Sequence, residues 1–308
     1  MSTFANSDYN AALYRDARPA YDARLFDRID AFRGVPCSNS LAIDIGSGTG
    51  QIAFNLAANR GYKRVIAIEP SAVMRGSALR HPNIQYVDGT SDHLTAEDGT
   101  ADLVIAAQAA HWFDMPKFLA EAKRVLNPET GVLALLCYAT IEFPTCPEAT
   151  KLLWELAEHP DKLQPYWMNG SIHIRRIYTR WSNFGEFNGK VTQLLYPETD
   201  FVAKFGVVED FDEEELRKIN DERSKTVKVE YLDEPVLKLD LTLRQLRAFL
   251  KTWSGYKRYM DANPGKPDIV DVTIDQVASE ILKATGEEPA EDTPLPMNWQ
   301  HTLILAKP

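Results

Sequence analysis

The sequence has few of the features that mark secreted, membrane-spanning or disulfide-stabilised chains. Only three of its 308 residues are cysteines (Cys37, Cys137 and Cys146), and they lack CxxC spacing. Neither a disulfide framework nor a metal site is therefore expected. No window approaches 18 uninterrupted apolar residues, and the first residues lack the apolar core of a signal peptide. We expect no membrane span and a cytoplasmic protein.

Positive charge is scarce as well. The formal net charge is −10, and no block is rich in Lys and Arg. Because binding to a nucleic-acid backbone needs a basic surface that neutralises phosphates, we expect no nucleic-acid partner. A small anionic partner is still compatible with the composition, because one pocket can be basic on an acidic protein.

Apolar, β-branched runs recur at regular intervals and predict strands. These runs are 41–46, 64–70, 84–90, 101–107 and 131–139, with helix-compatible segments between them at 50–60, 71–79 and 115–126. Continuously apolar strands that alternate with helices predict an α/β fold with a mostly parallel sheet covered on both faces.

The alternation stops near residue 140 and returns at "KTVKVEYL". We therefore predict a core of residues 1–140 and 226–308, interrupted by an inserted region, 141–225, that covers the substrate at the carboxyl edge of the sheet. In the second part of the core, Thr242 and Gln245 have the spacing of a capping box that opens a helix over "TLRQLRAFLKTWSGYKRYM". The segment "WQHTLILAKP" predicts a further strand.

The segment "LAIDIGSGTGQ" is the most informative stretch. Three glycines (Gly46, Gly48 and Gly50) follow a predicted strand and open a helix, where they permit a tight turn and close approach of a ligand. The dinucleotide fingerprint G-x-G-x-x-G fails, because the sixth position is Gln51. The observed G-x-G-x-G, preceded by Asp44, suits S-adenosylmethionine (SAM), whose ammonium group a carboxylate can attract. A purely structural strand–helix turn is the simpler alternative.

A second acid supports the same cofactor. Glu69 ends the next predicted strand, 19 residues after Gly50, where a carboxylate can accept hydrogen bonds from both ribose hydroxyls. That contact serves NAD and SAM alike, so the loop spacing decides in favour of SAM. The plain alternative is an exposed acid at a strand end.

The chain resembles the class I SAM-dependent methyltransferases, and more closely the fungal trans-aconitate methyltransferase-like group. The segments that carry this resemblance are "YRDARPAYD", "DIGSGTG", "IEPSAVM", "GTSDHL", "AAHWFD", "PYW" at 165–167 and "TWSGYKRY" at 252–259. The resemblance implies a Rossmann-like, doubly wound, mostly parallel seven-stranded sheet. It also implies O-methylation of a small carboxylic acid to a monomethyl ester, with S-adenosylhomocysteine as the other product.

The resemblance also implies roles for particular residues. Gly46, Ser47 and Gly48 would line the methionine and ribose part of SAM, and Glu69 would hold the ribose diol. The remaining cofactor contacts would be Pro70 and Met74 beside the adenine, the Ser91 backbone at the adenine edge, and Arg18 near the cofactor carboxylate. Tyr14 would lie close to the reactive methyl group. Thr90 departs from the pattern, because many relatives have an acid there; Asp92 or a carbonyl would then accept from the adenine amino group.

The fourth strand in this fold ends beside the transferring methyl group. Residues from Gln108 to Trp112 would form the wall between cofactor and acceptor. Within it, Gln108 would contact the cofactor, and His111 would orient an acceptor oxygen or contact the cofactor. The simpler alternatives are a structural histidine, a core tryptophan and, for Asp114, a helix N-cap.

An acceptor carboxylate needs cationic or multiple hydrogen-bond donors. Arg175 follows "PYW" at a spacing shared with the fungal group, and Tyr138 ends the fifth predicted strand. Both are favoured here over Arg176, Arg180, Trp253 and Tyr256. A surface arginine and core aromatic side chains are the plain alternatives.

A carboxylate is already ionised at pH 7 and requires no base, whereas a hydroxyl acceptor would make His111 the first candidate base. Other readings stay open: methylation of a phenol, carbon or nitrogen, or a non-catalytic SAM-binding protein. A nicotinamide-dependent reductase is disfavoured by Gln51 and by the lack of a Tyr-x-x-x-Lys pair near strand five. No metal dependence is expected, because carboxylates and histidines show no ligand spacing.

Overall fold

The computed structural model describes residues 10–18, 21–36, 40–167, 183–195, 221–222, 224–232 and 240–308. The strands are β1 (Leu41–Ile45), β2 (Arg64–Ile68), β3 (Ile84–Val87), β4 (Leu103–Ala107), β5 (Val132–Glu142), β6 (Val191–Leu195), β7 (Val227–Tyr231) and β8 (Asn298–Ala306). The helices are α1 (Ala11–Ala17), α2 (Ala23–Arg33), α3 (Gln51–Asn59), α4 (Ala72–Gly76), α5 (Met115–Val125), α6 (Pro147–Glu158), α7 (Leu243–Leu250), α8 (Ser254–Ala262) and α9 (Ile269–Thr285).

In the described part of the chain, eight strands form one sheet in the order β3-β2-β1-β4-β5-β8-β6-β7. Strands β1 to β5 are mutually parallel, β8 runs antiparallel to both β5 and β6, and β6 is parallel to β7. The prediction of a mostly parallel α/β sheet is confirmed. Strand order reverses at β1, so that the sheet extends from there in both directions and is doubly wound.

The expected number of strands, seven, is wrong, because β6 is an additional member of the sheet. Its sequence, "VTQLL", lies inside the predicted insertion 141–225 and has no apolar run that would mark a buried strand. It joins the sheet because β8 offers it an antiparallel partner, with Val191 opposite Ala306 and Leu195 opposite Thr302. Long-range pairing of this kind leaves little local signal.

The single helix expected over 242–260 is two helices. The capping box is confirmed: the Thr242 hydroxyl accepts from the Gln245 N–H at 3.1 Å, and the Gln245 side chain accepts from the Thr242 N–H at 3.0 Å. Helix α7 then ends at Leu250, and α8 begins at Ser254. The interruption brings Thr252 and Trp253 onto a short link between the two helices.

Apolar side chains form three clusters around the sheet. One face packs against α5, and the other packs against α2 and α3. The third cluster lies beyond β5 and β8, where α6, α7, α8 and α9 pack on Tyr138 and Trp299. This helical layer adjoins the carboxyl end of β5. None of the helices described is both long and apolar enough to cross a lipid bilayer.

Candidate active site

The predicted site residues gather at one edge of the sheet. Strands β1, β2, β4 and β5 are parallel neighbours in register. The segments at their carboxyl ends therefore share one edge of the sheet. These segments are the glycine loop 46–50, residues 69–71, residues 108–112 and the end of β5 at Tyr138. In open α/β sheets ligands bind outside the carboxyl ends of the strands.

The glycine loop turns sharply between β1 and α3. All three of its glycines have positive φ: +66° at Gly46, +56° at Gly48 and +82° at Gly50. A Cβ on Gly46 would lie 2.6 Å from the Ala109 Cβ, and one on Gly50 would collide with the Tyr86 hydroxyl. In the part of the chain that is described, a Cβ on Gly48 would meet the Met74 Cε alone, at 3.5 Å. Packing thus explains two of the glycines, whereas Gly48 borders space that a ligand can use.

The Glu69 carboxylate is fixed by two backbone donors. Gly48 N–H donates to one oxygen at 2.9 Å, and Ser71 N–H donates to the other at 2.8 Å. Burial raises the pKa of Glu69, and the two backbone hydrogen bonds oppose that rise. Because an ionised carboxylate has about four acceptor positions, each oxygen retains a lone pair that suits one hydroxyl of a ribose diol.

Asp44 lies beneath the same loop and is fully enclosed. It accepts from the Ala53 N–H at 3.1 Å, in the first turn of α3. Burial and, to a smaller extent, the neighbouring charge of Glu69 raise the pKa of Asp44 to about 7, against the effect of the Ala53 hydrogen bond.

The other residues predicted to contact the cofactor surround this loop. The Ser47 hydroxyl is buried and has no hydrogen-bond partner among the residues described. Met74 is buried, whereas Pro70 is exposed and Ser91 is partly buried. The Thr90 hydroxyl donates to the exposed Asp92 carboxylate. A buried hydroxyl without a partner, beside an open glycine and an anchored carboxylate, fits a ligand with several polar groups.

Arg18 joins three elements at the same edge. From the end of α1, its Nη1 donates to the Tyr138 hydroxyl at 2.8 Å and its Nε to the Thr252 hydroxyl at 3.1 Å. Its Cζ lies 4.6 Å from the Tyr14 ring centroid and 4.9 Å from that of Phe249. The guanidinium is thus held by two hydroxyls and two aromatic faces. Sequence reasoning missed Thr252 and Phe249, although Thr252 opens the "TWSGYKRY" segment.

Tyr138 lies at the centre of an aromatic cluster. Its ring centroid is 6.4 Å from that of Tyr21, and Trp299 packs edge-on against it at 4.8 Å. Burial is the main cause that raises the pKa of both phenols. Tyr138 raises the pKa of Tyr21 further, whereas the charge of Arg18 opposes the rise at Tyr138. Both side chains therefore stay protonated at neutral pH. Tyr21 was missed by sequence reasoning, because only the fold brings it to β5.

His111 lies in a 3-10 turn, Ala110–Trp112, directly after β4. Its side chain is only 7% exposed, and its ring centroid is 5.0 Å from that of Trp112, which is 38% exposed. Burial, followed by the charge of Arg18, lowers the pKa of His111 to about 3. The imidazole is consequently neutral throughout the physiological pH range.

Gln108 precedes this turn and has φ +55°, the left-handed region that non-glycine residues rarely adopt. Its Nε2 donates to the Tyr138 carbonyl. The predicted N-cap is confirmed, since the Asp114 side chain accepts from the Lys117 N–H at 3.4 Å.

Some predicted residues are not part of this group. The Tyr256 hydroxyl donates to Asp268 at 2.6 Å, beside the start of α9, and Trp253 packs on Phe249 and Trp167. Arg175, Arg176 and Arg180 lie outside the described residues. In the ranges that are described, no three His, Cys, Asp or Glu side chains are grouped so as to hold a metal ion.

Comparison with known proteins agrees with this fold. A family model described as a methyltransferase domain matches residues 43–135, from β1 to β5. A solved structure from Anaeromyxobacter dehalogenans, described as a type II methyltransferase, superposes with a TM-score of 0.61, with 22% identity over 94% of this chain and 97% of that one. The fold is therefore the Rossmann-like fold of the class I methyltransferases.

Sequence relatives carry the same activity in their names. The chain is 26% identical to "Probable S-adenosylmethionine-dependent methyltransferase CRG1" of Saccharomyces cerevisiae, over 99% of this chain and 98% of that protein. A Dictyostelium discoideum protein named as a methyltransferase is 36% identical over 129 residues, which is 42% of this chain and 47% of that protein. The protein is a SAM-dependent methyltransferase, and SAM is its cofactor.

Proposed function

We propose that the protein transfers the methyl group of SAM to a carboxylate oxygen of a small, trans-aconitate-like acid and releases a monomethyl ester. The observation that carries this proposal is the lack of basicity among the described side chains that surround Arg18. His111 is buried with a pKa of about 3, and burial keeps the phenols of Tyr21 and Tyr138 neutral. A hydroxyl acceptor needs a base, whereas a carboxylate arrives already ionised.

SAM supplies an electrophilic methyl group on a sulfonium whose departure as a neutral thioether requires no acid. What the protein must provide is alignment and exclusion of water. In this proposal Gly48, Ser47 and Glu69 hold the cofactor, with Asp44 near its ammonium group and Arg18 near its carboxylate. Tyr14 lies toward the methyl group, and Met74, Pro70 and Ser91 lie toward the adenine.

The acceptor side is assigned to the neutral donors. The Tyr138 hydroxyl, held by Arg18, donates toward an acceptor oxygen, and neutral His111 orients it as a hydrogen-bond partner rather than as a base. Arg175 remains our proposed cationic partner for the acceptor carboxylate. The region 141–225 is proposed to cover this site. Trp167, in this region, packs on Trp253 with ring centroids 5.4 Å apart, and Trp253 packs in turn on Phe249 beside Arg18, which supports that assignment.

The test is methyl transfer by the full-length chain with SAM and a panel of acceptors: trans-aconitate, other di- and tricarboxylic acids, phenols and amines. Mass spectrometry detects the product, and mild alkali should return the parent acid if the product is an ester. We expect turnover on polycarboxylic acids, with kcat/KM reduced at least about tenfold in Arg175→Met.

Arg244→Met is the matched control, because Arg244 is an exposed arginine whose pairing with Asp292 lies on the surface. It removes the same charge and should leave turnover unchanged. Turnover confined to phenols or amines would refute the carboxylate proposal while leaving the cofactor assignment intact. Equal losses in the two arginine variants would remove Arg175 from the acceptor site.

A further inference from the structure

Gln108, between β4 and the 3-10 turn, has an unusual left-handed backbone conformation. Among the residues described, Gln108 is the only non-glycine residue with positive φ. Such a conformation is strained for a residue with a side chain and persists only where its surroundings impose it. Glycine at this position would avoid that strain, so the glutamine side chain must contribute something that glycine cannot.

The contacts of Gln108 show what it contributes. Its backbone N–H donates to the Leu136 carbonyl at 2.8 Å, which extends the β4–β5 pairing by one residue. Its side-chain Nε2 donates to the Tyr138 carbonyl, and its Oε1 accepts from the Cys137 thiol at 3.6 Å. Both ends of the amide are therefore engaged on the last residues of β5 before a break in the sheet.

That break lies directly after Tyr138. Strand β5 pairs with β8 in register as far as Tyr138 opposite His301, and pairing resumes with Ile141 opposite Trp299. Between these pairs, two residues on β5 lie opposite one on β8, which is a bulge. A bulge interrupts the backbone pairing of β5 with β8 and bends the strand. The Gln108 amide adds a hydrogen bond at the opposite edge of β5, just beyond the point where its pairing with β4 ends.

The Tyr138 hydroxyl, at the other end of the same residue, meets Arg18 at 2.8 Å, and Arg18 ties α1 to Thr252. We propose that Gln108 is a positioning residue. Its amide fixes the bulged end of β5 so that the Tyr138 hydroxyl meets Arg18, and this contact docks α1 over the site and aligns the donors there. The kinetic part of the test rests on the proposed function, whereas its hydrogen-exchange part does not.

The experiment is a double-variant cycle in the full-length chain: wild type, Gln108→Met, Tyr138→Phe and the combination. Hydrogen exchange of residues 10–18, followed by mass spectrometry from tenths of a second, reports the docking of α1. We expect each single substitution to speed this exchange about tenfold, because each disrupts the hydrogen bond between Tyr138 and charged Arg18. The combination should be no faster than either single variant.

Two further variants separate this role from simple destabilisation. Gln108→Gly relieves the positive φ and should melt no lower than Gln108→Met, yet it should speed α1 exchange equally, because the amide is gone. Gln85→Met is the matched control, since Gln85 is exposed on β3 at the far edge of the sheet. It should leave α1 exchange and turnover as in the wild type.

The kinetic readout is a rise of about tenfold in the KM of the acceptor in Gln108→Met, with the Kd of SAM within about twofold of the wild type. Unchanged α1 exchange, multiplying effects in the double variant, or an equal loss of SAM affinity would overturn the proposal. The last outcome would place Gln108 against the cofactor. If no carboxylic acid is methylated, the proposed function fails, and the exchange cycle still decides the role of Gln108.

Discussion

At the scale of single residues, the protonation state of His111 distinguishes methylation of a carboxylate, which needs no base, from methylation of a hydroxyl, which does. Burial and the charge of Arg18 lower its pKa to about 3. We therefore predict that the His111 ring shows no titration between pH 5 and 8 in NMR spectra of histidine-labelled protein, with His111→Gln used to assign the signal. A titration midpoint between pH 6 and 7 would restore His111 as a candidate base and weaken the case for a carboxylate acceptor.

Glu69 offers a second residue-scale prediction. Because each of its oxygens accepts a backbone N–H, Glu69→Gln sets an amide NH2 against one of those donors, in addition to losing the charge. We expect the Kd of SAM to rise at least about tenfold in isothermal titration. Asp88→Asn is a suitable control, because Asp88 is an exposed acid paired with Arg75 on the same side of the molecule. Equal SAM affinity in Glu69→Gln and wild type would contradict the assigned role.

At the scale of elements, the three loop glycines should respond differently to alanine. Gly50→Ala combines positive φ with a collision against the Tyr86 hydroxyl, so we expect a loss of roughly 2–3 kcal/mol in the free energy of unfolding in urea. Adding Tyr86→Phe should recover part of that loss. Gly48→Ala has room for its methyl group and should lower the free energy of unfolding by about 1 kcal/mol. For a given loss of stability, it should reduce the affinity for SAM more than Gly50→Ala does. The reverse ranking would mean that Gly48 does not face the cofactor.

The capping box of α7 provides a further prediction for an element. Thr242→Ala removes the acceptor for the Gln245 N–H and should lower the free energy of unfolding by about 1 kcal/mol. Thr95→Ala, at an exposed loop position, is expected to change stability by only a few tenths of that value. Because α7 carries Phe249 beside Arg18, turnover should decline together with stability if the helix frays. A Thr242→Ala variant as stable as the wild type would show that tertiary packing alone holds this helix.

The elements also differ in whether the sequence alone predicts them. The strands β1 to β5, the glycine loop, Glu69, the Asp114 N-cap and the capping box were all predictable, because each depends on residues close together in the chain. Strand β6 was not predictable, since its pairing comes from β8, more than a hundred residues away. The break between α7 and α8 was not predictable either, because it begins at Lys251, which is neither a proline nor a glycine.

The candidate site likewise has one part that the local sequence predicts and one part that it does not. Its cofactor side depends on local motifs, whereas the cluster around Arg18 depends on tertiary contacts among α1, β5 and the α7–α8 link. Tyr21, Phe249 and Thr252 could not be assigned, because nothing in their local sequence distinguishes them from ordinary core or loop residues. The motifs that carry the chemistry consist of residues close together in the sequence, whereas the walls of the pocket come from distant segments.

At the scale of the whole molecule, Asp44 should make stability depend on pH. Its folded-state pKa of about 7 lies above the ordinary value of 3.8, so the folded protein retains a proton that the unfolded chain loses. Its stabilising contribution is therefore fully present below about pH 4 and is lost as the pH rises to about 7. We expect the difference in unfolding free energy between wild type and Asp44→Asn to fall by a few kcal/mol over that window, as measured by urea denaturation without SAM. A constant difference would mean that Asp44 is ionised in the folded protein.

The position of β8 has a consequence for assembly. Among the described strands, β8 separates β5 from β6, so that β6 and β7 pair with the rest of the sheet only through it. The parallel unit β1 to β5 can form from contacts between near neighbours in the chain, whereas β6 and β7 must wait for residues 298–306 before they gain an edge to join. During synthesis the unit β1 to β5 would accordingly be structured while β6 and β7 are still exposed and lack the β8 edge that joins them to it. This interval is the one in which chaperone binding or aggregation should concentrate.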